Sequence, residues 1–364
     1  MSENTDGAGA PPARGIGPRE GRRPGRVWPS AVDPSGVSGP TRGRARGKAW
    51  RLSSYGQYVP ADVDGTRVEQ RIVEAAALLR GWGGVTGWAA LRWLGGVWFN
   101  GLAEDGSTTL PVPLAAARNH PISEQPGVLV SNAGVPLHQV VRADGLRVTT
   151  PLRSLTFEMR RSGSVLGAAR AFAMAAYNDL VSIDELVDFT ERELNAKTGV
   201  GTVRAAIPFL TENAWSPMEP EMLHLWVVEA RCPTPLFNVP IFGLDGRHIA
   251  TPDLLDPVSG VAGEYDGSLH LVGAQRALDV GREGAVRRVG LELVTMVSGD
   301  RARPAGFIQR LHDAYARAER LAVSDRLWTL EQPRWWTDTS TVAARRGLTD
   351  AQRQTALTWR RTTG

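Results

Sequence analysis

Residues 251–270, TPDLLDPVSGVAGEYDGSLH, constrain this chain more than any other stretch. The segment DPVSG carries Pro257 and Gly260, which favour a four-residue connection between two strands. A hairpin centred between Val258 and Ser259 makes facing residues sum to 517, so Asp253 stands opposite Glu264. Directly opposed residues have Cβ atoms about 4.5–5.5 Å apart. Asp266 lies two residues further and shares the face of Glu264, while Pro252, Leu254 and Tyr265 point the other way, into a helix layer. Two bare carboxylates at that spacing raise one pKa or weaken the sheet. A hard divalent cation, Mg²⁺ or Mn²⁺, resolves the conflict, because such ions take one or two carboxylates and complete their shell with water. Turning one acid to solvent, or neutralising it with Arg247 or His248, resolves it as well.

The flanks of the hairpin extend the pattern. Gln275, Asp279 and Arg282 are spaced four and three residues apart, one stripe of a helix expected over 273–289. An Asp–Arg pair at that spacing is ordinarily a surface pair, and His270 by itself reads as a loop histidine. Upstream, SPMEPEML sets Ser216, Pro217 and Glu219 at N-cap, N1 and N3, a capping box that opens a helix over 217–230. Strands come next, near 236–242, 247–255 and 261–266, then the 273–289 helix, a strand over 291–297 and a helix over 304–322. The order α-β-β-β-α-β-α predicts an α/β (α+β mixed) fold with helices on the faces of a mixed sheet.

A chain of 364 residues suits two domains with tails. Residues 1–50, rich in Gly, Pro and Arg without periodicity, are expected as a disordered basic arm. An α+β region spans 51–160, with helices from Thr66 and over Thr86–Leu94 and strands in PVPLAA, GVLVS and VPLHQVV. A helical connector spans 161–215, the α-β-β-β-α-β-α region 216–322, and a tail bearing Trp and Arg 323–364. Residues 1–50 hold nine basic and four acidic side chains, and residues 301–364 twelve and six. Basic ends around an acidic centre suit arms that touch a polyanion and a middle that holds cations. Lys48 and Lys197 are the two lysines, so no mechanism can draw on a lysine in the C-terminal half. Cys232 is the one cysteine, which excludes an internal disulfide framework. No run of about 18 apolar residues exists, and MSENTDGAGAPPARG lacks the apolar stretch of a secretory signal. A cytoplasmic protein without a membrane span is expected.

Glu219, Pro252-Asp253, Glu264-Tyr265-Asp266-Gly267, His270, Gln275, Asp279 and Arg282, in that order, resemble the PD-(D/E)XK restriction-endonuclease-like superfamily, in its very-short-patch-repair-like branch. The resemblance covers about residues 216–320. VTGWAALRWLG, within 51–215, is more loosely similar to the N-terminal region of actinobacterial relatives of abortive-infection type IV antitoxins. The resemblance implies metal-dependent phosphodiester hydrolysis on nucleic acid, DNA ahead of RNA. Asp253 and Glu264 would hold Mg²⁺ or Mn²⁺, and Glu219 would add a ligand or orient a metal-bound water. His270 would inherit acid or base work, and Arg282 would supply cationic stabilisation. The superfamily's lysine falls on Asp266, which can offer no positive charge. A non-catalytic DNA-binding regulator or antitoxin on the same scaffold is the competing expectation, and a module whose tryptophans bury in a partner is the third.

Overall fold

The computed structural model describes residues 23–116, 122–123, 125–132, 134–267, 284, 286–358 and 360. Its architecture is α+β, with helices and several sheets. The chain divides into two compact units, residues up to 85 with 111–150, and residues 86–110 with 151 onward. Among the described residues no helix is long and apolar enough to cross a membrane.

In the first unit, α1 (Arg42–Ala45) precedes the hairpin β1 (Trp50–Ser54) and β2 (Gln57–Pro60). Helix α2 (Val68–Ala76) packs against a five-stranded sheet formed by β3 (Gly83–Val85), β4 (Val112–Ala116), β5 (Val128–Ser131), β6 (Val140–Ala143) and β7 (Leu146–Thr149). The strand order is β5-β4-β3-β7-β6. Gly83 holds φ +142°, and a Cβ there would sit 2.3 Å from the Ala115 carbonyl, so only glycine lets β3 lie against β4. Residues 23–50 do not form the expected disordered arm where they are described. The Val27 backbone exchanges two hydrogen bonds with the Gln70 amide, at 3.1 and 2.8 Å, and Ser30 pairs with Tyr58. These bonds use backbone groups, which composition does not report.

The second unit opens with α3 (Gly87–Trp93), α4 (Pro151–Arg161), α5 (Val165–Tyr177), α6 (Ile183–Glu193) and α7 (Val200–Ala206). The stretch 161–215 is therefore not a connector: α5 and α7 pack on α4, and all three belong to the same compact unit as residues 216–322. Helix α6 starts after Ser182, which forms a full capping box with Glu185. The expected 217–230 helix is α8 (Glu219–His224), continuing as a π-helical turn over Leu225–Glu229.

Among the described residues, seven short strands form the second unit's sheets: β8 (Leu236–Phe237), β9 (Ile241–Gly243), β10 (His248–Ala250), β11 (Leu254–Asp256), β12 (Val261–Asp266), β13 (Glu292–Val297) and, late in the chain, β14 (Trp328–Thr329). The expected strands at 236–242 and 247–255 are each split, because β9 and β10 leave to build a separate sheet with β14. The main sheet runs β13-β12-β11-β8, with β8, β11 and β12 antiparallel neighbours and β13 parallel to β12. The crossover between β12 and β13 lies mostly outside the described residues, and residues 284 and 286–288 are helical. Helix α9 (Ala305–Ala318) packs on β13.

One face of this sheet buries Leu254, Val261 and Val294 against Met222 and Trp226 of the α8 region and Phe307 and Leu311 of α9. The other buries Leu255, Ala262 and Leu291 with Ile241 and Val286. Gly263 sits under the Trp226 indole, where a Cβ would come within 2.7 Å of the ring. The indole therefore packs directly on β12, and its Nε1 donates to the Tyr315 hydroxyl at 3.1 Å.

The tail forms α10 (Val342–Arg346) and α11 (Asp350–Ala356) and anchors to the helical layer. Arg345, fully buried, donates from Nε to Asp179 at 2.5 Å and from Nη2 to the Ala176 carbonyl at 2.7 Å. Arg353 takes the second Asp179 oxygen at 2.7 Å. Asp179→Asn keeps a residue that tolerates φ +58° but removes the charge that Arg345 needs. Urea melts should show a loss of about 3–5 kcal/mol; a change under 1 kcal/mol would mean the tail is only resting there.

Candidate functional site

The β11–β12 pairing is Leu254↔Gly263, Leu255↔Ala262 and Asp256↔Val261, so the register sums to 517. Its turn is built by Asp256, which accepts hydrogen bonds from Val258 N at 2.9 Å and Ser259 Oγ at 2.8 Å. Tyr315 of α9 donates its hydroxyl to the same carboxylate at 3.0 Å. Gly260 closes the turn at φ +78°. Arg326 clamps it from outside, donating to the Val258 carbonyl at 2.7 Å and the Ser259 carbonyl at 3.0 Å.

Position 253 thus falls opposite 264, but Asp253 stands one residue before β11, in a bend. Its carboxylate reaches past Glu264 and accepts the Tyr265 N–H at 2.7 Å. The cause is local: β11 begins at Leu254, so no strand carbonyl faces Tyr265, and a buried N–H left unpaired is costly. The Asp253 carbonyl accepts from Asn238 N at 3.0 Å, which ties the bend to the residue after β8. Glu264 and Asp266 lie on β12 two residues apart, both half-buried.

Glu219 departs from both of its expected roles. Its carboxylate is 1 % exposed and accepts Trp215 N at 3.0 and 2.9 Å and Asn238 Nδ2 at 2.5 Å. The capping bond runs back four residues to Trp215, and Ser216 Oγ instead accepts Met218 N at 3.3 Å. The helix accordingly starts at Glu219 rather than at Pro217. As a metal ligand Glu219 fits poorly, because its oxygens already serve these donors. Among the described residues, no three His, Cys, Asp or Glu side chains form a group that could hold a metal. The set Asp253, Glu264 and Glu219 is therefore not assembled as a trio. His270 and Arg282, with Gln275 and Asp279, lie outside the described residues.

The electrostatics join two of the acids. Burial, and after it the charge of Asp253, pushes the pKa of Glu219 well above its ordinary value. Asp253 is thus close enough for its charge to be felt at a buried carboxyl. Asn238, at φ +45° and buried, links the pair: its Nδ2 donates to Glu219 and to the Asn213 carbonyl, and its N–H to the Asp253 carbonyl.

Two features escaped the reading of the sequence. Arg360, in the tail, is buried with its guanidinium 5.8 Å from the Trp215 ring and 4.8 Å from the Tyr177 ring. Burial, with the Arg345 charge beside it, pulls its pKa down to about 9, while Asp179, Tyr177 and Glu219 act in the opposite direction. The second is a charged cluster beyond β12 and β13. Arg170 lies 2.9 Å from Glu104 and 3.5 Å from Glu221, and Arg301 lies 3.8 Å from Glu221. The pKa of the Tyr265 hydroxyl is raised by burial, lowered by Arg301 and raised again by Asp266 and Glu221. Arg301 is therefore a guanidinium whose charge registers at the Tyr265 hydroxyl, at this end of β12.

Comparison with known family models, curated proteins and solved structures finds no match to this chain.

The Asp253–Glu219 coupling has a pH signature. Glu219 has a raised folded pKa, so its contribution to stability is full below about pH 4.5 and is lost as pH climbs through the folded value. Asp253→Asn keeps an acceptor for Tyr265 N and removes the second cause of the shift, which narrows that window. In metal-free buffer, the melting temperature of Asp253→Asn relative to the wild type should rise as pH increases from about 4.5. A difference that stays flat with pH would show that the two acids do not interact.

Proposed function

We propose that this chain is a metal-dependent endonuclease-like protein of the cytoplasm that hydrolyses phosphodiester bonds in nucleic acid, DNA ahead of RNA. The observation that carries the reading is the hairpin register, which sets position 253 opposite Glu264 beside the parallel strand β13. The order of α8, three antiparallel strands and a parallel fourth supports the resemblance to the PD-(D/E)XK superfamily.

The donor set suits a cation bound by two carboxylates. Asp253 and Glu264 would hold Mg²⁺ or Mn²⁺, with water completing the shell. When bound, the ion polarises the phosphate and lowers the pKa of a water. The chain's own residues do the positioning. Tyr265 N and Asn238 N hold Asp253 from side chain and backbone. Glu219 keeps Asn238 in its left-handed conformation and acts as a support, not a ligand. His270 is the proposed acid or base and Arg282 the proposed cationic group, both on the strength of the resemblance. Asp266 stands where the superfamily has lysine, so cleavage should be slow.

A non-catalytic DNA-binding regulator or antitoxin-like protein is the second reading. It is favoured by one observation: Glu219 is satisfied by Trp215 and Asn238, so the site is stable as an internal hydrogen-bond network.

The test is a nicking assay on supercoiled DNA with Mg²⁺ or Mn²⁺. The wild type should nick slowly, Asp253→Ala should lose nicking while keeping DNA binding, and His270→Ala should be slower by about 10²–10⁴-fold. Asp266→Lys should be faster than the wild type. If no divalent metal supports cleavage of DNA or RNA, the regulator reading takes the place of the enzyme.

A further inference from the structure

The first unit carries a cluster of charge that the hairpin site does not use. Arg142 on β6 and Arg147 on β7 are directly opposed in the antiparallel register. Like charges directly opposite one another destabilise a sheet. Among the described residues neither guanidinium has a carboxylate partner. The one acid of their turn, Asp144, is taken by Arg23 at 2.8 Å. Arg147 is instead held by the Leu79 carbonyl, three residues beyond α2, to which its Nη2 donates at 3.4 Å. Burial, and then the charge of Arg142, lowers the pKa of Arg147.

Both arginines line an open cleft of about 260 Å³, with Trp28, Gln57, Leu79 and Leu146 among its other walls. The volume falls just below the range of about 300–1,000 Å³ for drug-sized ligands, so the occupant is small. Two guanidiniums without a counter-charge match a dianion better than a single negative charge. A phosphate monoester carries about −1.5 to −2 near neutral pH, and guanidinium forks bind its oxygens in pairs. A phosphodiester carries one charge for the same space. The apolar walls accommodate the organic part of such an ester, which free phosphate lacks.

We propose that the cleft between Arg142 and Arg147 is a binding site for a phosphate monoester. The same chemistry is offered by a free mononucleotide and by the 5′-phosphorylated end of a nucleic-acid strand. The site is independent of the Asp253–Glu264 pair.

Calorimetry on the full chain at low salt tests it, using a nucleoside 5′-monophosphate, the matching nucleoside and inorganic phosphate. The monophosphate should bind, the nucleoside should not, and Arg147→Gln or Arg142→Gln should each weaken binding by about tenfold or more. Arg142→Gln should match or exceed the wild-type melting temperature, because it relieves the like-charge pair; this exposed position carries the test if Arg147→Gln fails to fold. Asp253→Ala should bind the monophosphate as the wild type does, so a failed hairpin site leaves this result standing. A short strand that displaces the mononucleotide only when 5′-phosphorylated identifies strand ends as a source, and no displacement identifies the free nucleotide. The proposal is overturned if the nucleoside binds as well as its monophosphate, if inorganic phosphate binds and the monophosphate does not, if nothing phosphorylated binds, or if both Gln variants bind unchanged.

Discussion

The carboxylate of Asp256 is the point on which the second unit turns. It gathers Val258 N, Ser259 Oγ and the Tyr315 hydroxyl, and so sets where the hairpin reverses. A shift of one residue would move every side chain of β12 to the opposite face. Gly263 would then leave the Trp226 indole, and Glu264 would enter the apolar layer with Met222 and Phe307. The same tyrosine that binds Asp256 also accepts from Trp226, so the turn, the face and the helix layer are fixed through one chain of hydrogen bonds.

With the register set, the acidic end of the hairpin becomes an electrostatic problem. Tyr265 N stabilises the Asp253 charge, and Glu219 yields by favouring its protonated form. A divalent cation near Asp253 would be a further contribution, and would relieve the repulsion that burial makes expensive for Glu219. Asp266 adds negative charge at the same end of β12, while Arg301 is sensed there through the Tyr265 hydroxyl. The arrangement has cationic groups near the strand ends but no lysine within β12, which is why slow chemistry, rather than fast, is the reading proposed.

The features legible in the sequence obeyed local rules. Pro257 and Gly260 announced the turn, and the sum of 517 matched the pairing. The features that were not legible depended on partners far apart in the chain. Gln70 orders Val27 across 43 residues, and Arg345 meets Asp179 across 166. Composition read those segments as arm and tail because it counts side chains and not their distant partners. Glu219 was misread for a related reason: its capping signature was local, but Asn238, 19 residues on, decided which way its carboxylate faces. Asp253 missed its strand because Pro252 and the bend before Leu254 ended the ladder one residue early.

The most direct test of the central claim is a calorimetric titration with Mn²⁺ of the wild type, Asp253→Asn and Glu264→Gln, free of nucleic acid. If the hairpin holds the ion, the wild type binds one Mn²⁺, and each neutral variant loses that binding while keeping its fold by circular dichroism. If the wild type binds no Mn²⁺, or if both variants bind it as the wild type does, the opposed carboxylates are not a metal site.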